Sequence, residues 1–137
     1  MEHNIECDWQ ENLRFDAKID DFSFSLDANE LSGGQGKGIS PKPLLLIGLA
    51  GCTGMDVISI LNKMKIFPES FNVSVKGVLT EEHPKYYANI HITYYFTGSD
   101  IPKEKIQRAI ELSQQNYCGV YRMLKETAKI TYDIKIN

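Results

Sequence analysis

The sequence has no cluster of basic residues and no long run of one charge, and it contains only three histidines. Its formal net charge of −3 argues against a general nucleic-acid binder, which presents a basic face. The dispersal of its charges argues against a polybasic membrane patch. The stretch from Met1 to Asp8 is polar and acidic, without the charged and apolar regions of a signal peptide. The longest uncharged apolar stretch, Pro43 to Met55, stops at Asp56. That falls short of the about 20 residues a membrane span needs. The expectation is a cytosolic protein with neither nucleic acid nor membrane as partner.

Recognisable site motifs are also scarce. His3, His83 and His91 have no metal-ligand spacing with one another or with the cysteines. There is no Gly-x-Ser-x-Gly elbow. Ser32 to Gly38 is rich in glycine, but no Gly-Lys-Ser/Thr follows, so it reads as a flexible connector rather than a phosphate loop. Cysteine is sparse and odd in number, at positions 7, 52 and 118, which does not suit a secreted disulfide scaffold. In a reducing cytosol such thiols are either inert core residues or reactive groups.

What is present suits one domain over 1–137. Leu13 to Ile19 alternates apolar and polar residues, and Phe22, Phe24 and Leu26 continue the period after Asp20-Asp21, which reads as a hairpin. Ser40-Pro41-Lys42-Pro43 opens a helix expected to run to about Lys65, with Ser40 as cap. Its first half is apolar on every face, so protein must surround it. Phe71 to Val75 and Tyr86 to Thr97 alternate as strands, the second with Ala88, Ile90, Ile92, Tyr94 and Phe96 on one face. A second helix starts near Pro102 and breaks at Asn116-Tyr117-Cys118-Gly119. A third is expected from about Val120 to Thr127, and Ile130 to Ile136 alternates as a last strand. Strands, helix, strands, helices, strand is the order of an α+β fold with helices set against antiparallel sheets.

Cys52 sits in the apolar helix beside Gly51 and near Gly48. Glycine costs about 1 kcal/mol against alanine in a helix, so these positions need a reason. Close approach of another backbone is one reason, and room for a substrate at the sulfur is another. An inert buried thiol is the plainer reading of a cysteine in such a helix. Asp56 lies one turn after Cys52 and shares its face. A carboxylate beside a thiol opposes thiolate formation, whereas a cation satisfying Asp56 favours it. Arg14, Arg108 and Arg122 are the only arginines, and Arg14 lies in a strand able to pair against this helix. Cys118, at a helix break, has the lowered pKa of a helix N-terminus if the third helix begins there. Cys7 reads as a bystander, and His91 as a surface residue.

Ser40-Pro41-x-x-Leu44-Leu45-Leu46, Gly51-Cys52-Thr53 and Asp56-Val57-x-Ser59-Ile60-Leu61 together resemble the cysteine-helix signature of OsmC-like proteins. Glu111-Leu112-Ser113 with Tyr117-Cys118 resembles that family's second-cysteine signature, and the resemblance runs from about Trp9 to Ile136. It implies antiparallel sheets packed on a long central cysteine-bearing helix, in an intertwined homodimer with sites at the subunit interface. It also implies thiol-dependent reduction of organic hydroperoxides and no cofactor. Cys52 would be the peroxidatic thiolate and Cys118 the resolving thiol. The reductant would be an external dithiol, which in the family can be a protein-bound dihydrolipoyl group. The apolar residues around Cys52 favour bulky organic hydroperoxides over hydrogen peroxide.

One position departs from the family pattern. Typical members carry a glutamate near the start of the cysteine helix that helps hold an arginine over the thiolate. Here that region reads Pro41-Lys42-Pro43, and Asp56 stands after the cysteine instead. Arg14 falls where the family arginine tends to lie. Two other readings share the scaffold, a non-enzymatic binder of a small apolar ligand and a dithiol redox sensor.

Overall fold

Side-chain alternation builds a sheet in each of two compact units, Met1–Leu45 and Leu46–Asn137, in a computed structural model that describes all of Met1–Asn137. In the first unit, strands β1 (Glu6–Glu11), β2 (Arg14–Ile19) and β3 (Phe22–Leu26) pair antiparallel in that order. The expected hairpin is β2–β3, and Asp20 at its turn takes φ 52°, a left-handed conformation that aspartate tolerates better than most residues. β1 was not expected, because its sequence offers only Cys7 and Trp9 as apolar residues among acidic and polar ones. The register pairs Cys7 with Ala17, Trp9 with Phe15, Ala17 with Phe24 and Ile19 with Phe22. All of these lie on one sheet face, yet Trp9 is 64% and Phe22 73% exposed. The first unit fully buries only Ala17 and Asp27.

The connector after β3 is tied down rather than flexible. The buried Asp27 carboxylate accepts the backbone N–H groups of Ala28, Gln35 and Lys37. These bonds hold its carboxyl below the usual carboxylate range, with Lys37 the largest contributor, against an opposing push from burial. Gly34 is required by this folding-back, since a Cβ there would stand 2.0 Å from the Ala28 carbonyl oxygen.

Helix α1 (Pro43–Lys63) follows and ends where Lys65 turns left-handed at φ 64°. With 21 residues and a mean hydropathy of 2.0 over its most apolar 18-residue window, it is long and apolar enough to cross a membrane, beyond what the shorter stretch to Met55 suggested. It is nonetheless the core helix of the second unit. Leu49, Thr53, Val57 and Leu61 recur every fourth residue as a buried stripe. Leu49, Val57 and Leu61 join Ile90, Ile92, Tyr94, Phe96, Ile106 and Ile110 in one apolar cluster. The opposite side is open rather than enclosed. Ile47 is 56% and Met55 74% exposed, and a Cβ added at Gly48 or Gly51 would meet nothing within 4 Å.

The second sheet has the order β4 (Ser70–Leu79), β5 (Tyr87–Thr97), β6 (Lys129–Ile136). β5 points Ile90, Ile92, Tyr94 and Phe96 into the core, as the alternation predicts. β4 and β5 are antiparallel, but β5 and β6 run parallel, with Ile92 opposite Tyr132. This corrects the all-antiparallel expectation, because the helical segment between β5 and β6 is a crossover that returns the chain in the same direction. The crossover starts as α2 (Lys103–Leu112), burying Ile106, Ala109 and Ile110. It then widens into a π-helical turn, Ser113–Tyr117, and breaks at Cys118 before the short α3 (Gly119–Leu124). On the outer sheet face His91 contacts Thr131 and Asp133.

Candidate functional site

Cys52 and Asp56 are one turn apart on α1, and both project toward the break between the π-helical turn and α3. Cys118 occupies that break with an extended backbone, φ −79° and ψ 100°. The two sulfurs and a carboxylate oxygen of Asp56 all lie within 4.8 Å of one another. The fold thus brings together three of the four residues singled out from the sequence, across 66 residues of chain from Cys52 to Cys118. The cysteines differ in access, Cys52 being half-buried and Cys118 only 3% exposed.

A file of hydroxyls ends on Asp56. Ser113 Oγ donates to Asp56 Oδ2 at 2.9 Å. That uses its single proton, so the 2.9 Å contact with Thr53 Oγ1 is one in which Thr53 donates. Thr53 must then accept the Tyr94 hydroxyl proton at 2.8 Å, and Tyr94 accepts from Gln114 Nε2 at 3.3 Å. Every donor points the same way, from Gln114 through Tyr94, Thr53 and Ser113 to the carboxylate. Such an aligned chain polarises each bond in turn. The sequence called for a cation to satisfy Asp56, and buried hydroxyls meet part of that need. Burial pushes the Tyr94 hydroxyl above its usual pKa, which keeps it a proton donor.

Ser113 and Thr53 were missed as site residues. The available signal was a polar side chain at each of two otherwise apolar helical positions, and both are fully buried.

The electrostatics of Cys118 also correct the sequence reading. The Tyr121 N–H donates to its sulfur at 3.3 Å, as a helix N-cap should. Burial and the neighbouring Cys52 and Asp56 outweigh that donor and push the Cys118 thiol up to about 12. Cys118 is therefore a protonated thiol at neutral pH, not an activated thiolate.

Two clefts flank the cluster. One of ≈ 320 Å³ is lined by Asp56, Ser59, Ile60, Lys63, Leu112 and Tyr117. The other, ≈ 150 Å³, brings Arg122 to the same cleft as Cys118 and Asn116. Arg108 is an exposed residue of α2. Arg14 belongs to the first unit, on β2, with its Nε 3.8 Å from Asp16 and without a hydrogen-bond partner.

Residues 34–133 match the sequence family described as OsmC-like protein. The chain belongs to the OsmC-like family. Protein YhfA of Escherichia coli K12 is 31% identical over 100 residues, which is 73% of this chain and 75% of that one. A hypothetical protein from Aquifex aeolicus has a solved structure that is 28% identical, with a TM-score of 0.84 over 100% of this chain and 98% of the other. An organic hydroperoxide resistance protein from Elizabethkingia anophelis shares the OsmC-like fold at a TM-score of 0.79. That match covers 100% and 97% of the two chains at 15% identity. The α+β architecture of two small sheets and three helices is thus the fold of this family.

Proposed function

We propose that this OsmC-like protein reduces organic hydroperoxides with Cys52 as the peroxidatic and Cys118 as the resolving thiol. The observation that carries the reading is the mutual approach, within 4.8 Å, of two sulfurs of unequal exposure. Solved relatives of the same fold bear the name organic hydroperoxide resistance protein. Cys52, the more accessible sulfur, attacks the terminal peroxide oxygen as a thiolate. The O–O bond breaks, the alkoxide takes a proton and leaves as the alcohol, and Cys52 becomes a sulfenic acid. Cys118 then forms the S–S bond as hydroxide leaves, its own thiol proton completing the water. An external dithiol such as a dihydrolipoyl group reduces the disulfide by exchange. A thiol held protonated at the start suits the resolving role, because Cys118 stays out of reaction until its neighbour is oxidised.

Asp56, one turn after Cys52, is the polar anchor of the site in a chain that lacks the family's helix-start glutamate. Arg14 is the proposed cation of the family arrangement, and Arg122 is a second cation beside Cys118.

The working form is a homodimer in the cytosol, where thiols stay reduced. OsmC-like proteins are typically dimers acting on hydroperoxides. Two apolar surfaces support a second copy as the cover, the Trp9–Phe22 sheet face and the Gly48–Gly51–Met55 side of α1.

The test is turnover of cumene hydroperoxide with dihydrolipoate, read beside non-reducing mass spectrometry. The reading expects catalytic peroxide loss, a Cys52–Cys118 disulfide, and no turnover by Cys52→Ser. Cys118→Ser should consume one equivalent of peroxide and stop at the sulfenic acid. Disulfide formation without turnover would move the site to a redox sensor. Neither disulfide nor turnover would leave a binding protein on the same scaffold.

A further inference from the structure

The Cys52, Asp56 and Cys118 cluster supplies more than a dithiol pair. Two thiols and a carboxylate are the donor types that borderline-soft divalent ions such as Zn²⁺ take, and three protein ligands with an open position form a common Zn²⁺ arrangement. We propose that Cys52 Sγ, Asp56 and Cys118 Sγ form a three-ligand site for Zn²⁺, with its fourth position open to a neighbouring cleft.

Geometry carries the inference. Zn²⁺ bonds of about 2.3 Å to sulfur and 2.0–2.2 Å to oxygen place tetrahedral ligand atoms roughly 3.5–3.8 Å apart. The observed separations are no larger than 4.8 Å, so closing on an ion requires a contraction of roughly 1 Å, within the reach of rotamer adjustment. Cys52 and Asp56 stand at i and i+4, the spacing at which two side chains of one helix reach a common ion. The third ligand comes from a separate element, so the ion would be held from two sides.

The groups behind the ligands suit the same role. Ser113 binds one Asp56 oxygen at 2.9 Å and leaves the other free to coordinate. The Tyr121 N–H donates to the Cys118 sulfur at 3.3 Å, a contact that favours a thiolate ligand. Outer contacts of this kind orient ligands and commonly contribute 10- to 100-fold in metal affinity.

The inference needs the cluster and not the peroxide reaction, so the experiment omits peroxide. The full chain, reduced and stripped with chelator, is titrated anaerobically with Co²⁺ and then with Zn²⁺. The expected result is one equivalent of Co²⁺ per chain, with a thiolate-to-cobalt charge-transfer band and tetrahedral d–d bands that Zn²⁺ removes. Cys52→Ser and Cys118→Ser should each abolish or halve the charge-transfer intensity, and Asp56→Asn should weaken binding at least tenfold. Circular dichroism checks that each variant is folded. Alkylation of both thiols in the wild-type protein provides the same loss without any substitution. A folded, fully reduced protein lacking the charge-transfer band would overturn the site. So would Co²⁺ binding that survives thiol alkylation. Peroxide turnover without Co²⁺ binding would refute the metal site alone, and Co²⁺ binding without turnover would refute the reductase reading alone.

Discussion

Ser113 Oγ donates to Asp56 Oδ2 at 2.9 Å, and this one bond links the cysteine helix to the turn that presents the second cysteine. The turn is π-helical, with one extra residue per turn relative to α2, and such bulges are frequent at functional sites. It carries Ser113 into the fully buried position from which it can reach both Asp56 and Thr53.

Ser113→Ala removes the junction of the hydroxyl file. It leaves the half-buried Asp56 without its serine donor and the buried Thr53 with Tyr94 as its one remaining partner, a loss of about 1–3 kcal/mol by the usual cost of an unsatisfied buried group. Urea unfolding should show a lower midpoint at unchanged slope. Iodoacetamide labelling of Cys52 should change in rate, since Asp56 is freed to move. An unaltered midpoint would show that the file contributes nothing to stability.

Thr53→Val keeps the shape of the side chain and deletes the middle of the same file. Tyr94 and Ser113 then lose a shared partner. The expected cost is again about 1–3 kcal/mol. The double variant with Ser113→Ala should cost less than the sum of the two, because both remove the same contact. Strict additivity in that cycle would contradict a continuous chain.

Gly51→Ala distinguishes a free helix face from a covered one. Nothing in the chain lies within 4 Å of the added methyl. For a monomer the substitution should stabilise α1 by about 1 kcal/mol through helix propensity alone. For the proposed homodimer the methyl meets the partner, so the dimer dissociates at higher protein concentration. Analytical ultracentrifugation with thermal unfolding gives the sign.

The raised Cys118 pKa makes an alkaline prediction. In the unfolded chain a cysteine ionises near its usual pKa of about 8.5, whereas in the folded chain Cys118 holds its proton to about 12. Its contribution to stability is full below the unfolded value and is lost as pH rises from there toward 12. Tyr94 and Tyr132, both raised by burial, add to the loss at higher pH. Cys118→Ala should flatten the first part of that decline. At pH near 8, alkylation should reach Cys7 and Cys52 before Cys118.

Asp27 gives the opposite sign. Its lowered pKa means that its contribution is present above the ordinary carboxylate value of about 3.9 and lost as pH falls through the depressed one. Amide exchange at Gln35 and Lys37, whose N–H groups it accepts, should accelerate on acidification and in Asp27→Asn at neutral pH. Slow exchange in Asp27→Asn would show that the glycine loop holds itself without the carboxylate.

These residues also mark how far the sequence could be read. β5 was legible because Ile90, Ile92, Tyr94 and Phe96 alternate with polar partners, and α1 because Ser40-Pro41 opens it and Val57, Ile58, Leu61 and Met64 keep helical spacing. β1 was not, since Trp9 and Cys7 lie among acidic residues and owe their strand to pairing with Phe15 and Ala17. The parallel β5–β6 ladder depends on where the crossover returns the chain, which no local pattern encodes. At the site, Cys52 and Asp56 share a helix face by spacing alone. Their meeting with Cys118, and the burial that raises its thiol, depend on tertiary packing. The polar positions Thr53 and Ser113 could be seen in the sequence, but the hydroxyl file could not, because it joins Thr53, Tyr94 and Ser113 from three separate elements that only tertiary packing brings together.

The parallel ladder has a further consequence for biosynthesis. Its third strand, Lys129–Ile136, pairs with β5 only after the whole crossover has been made. Until those residues leave the ribosome, the edge of β5 facing them has no partner, and the packing around Tyr94 lacks Tyr132. The first sheet closes through short hairpins and can form early. The second must wait for a distant segment, the slow and aggregation-exposed kind of pairing. During synthesis, the cysteine helix is therefore complete well before the sheet that buries its apolar stripe.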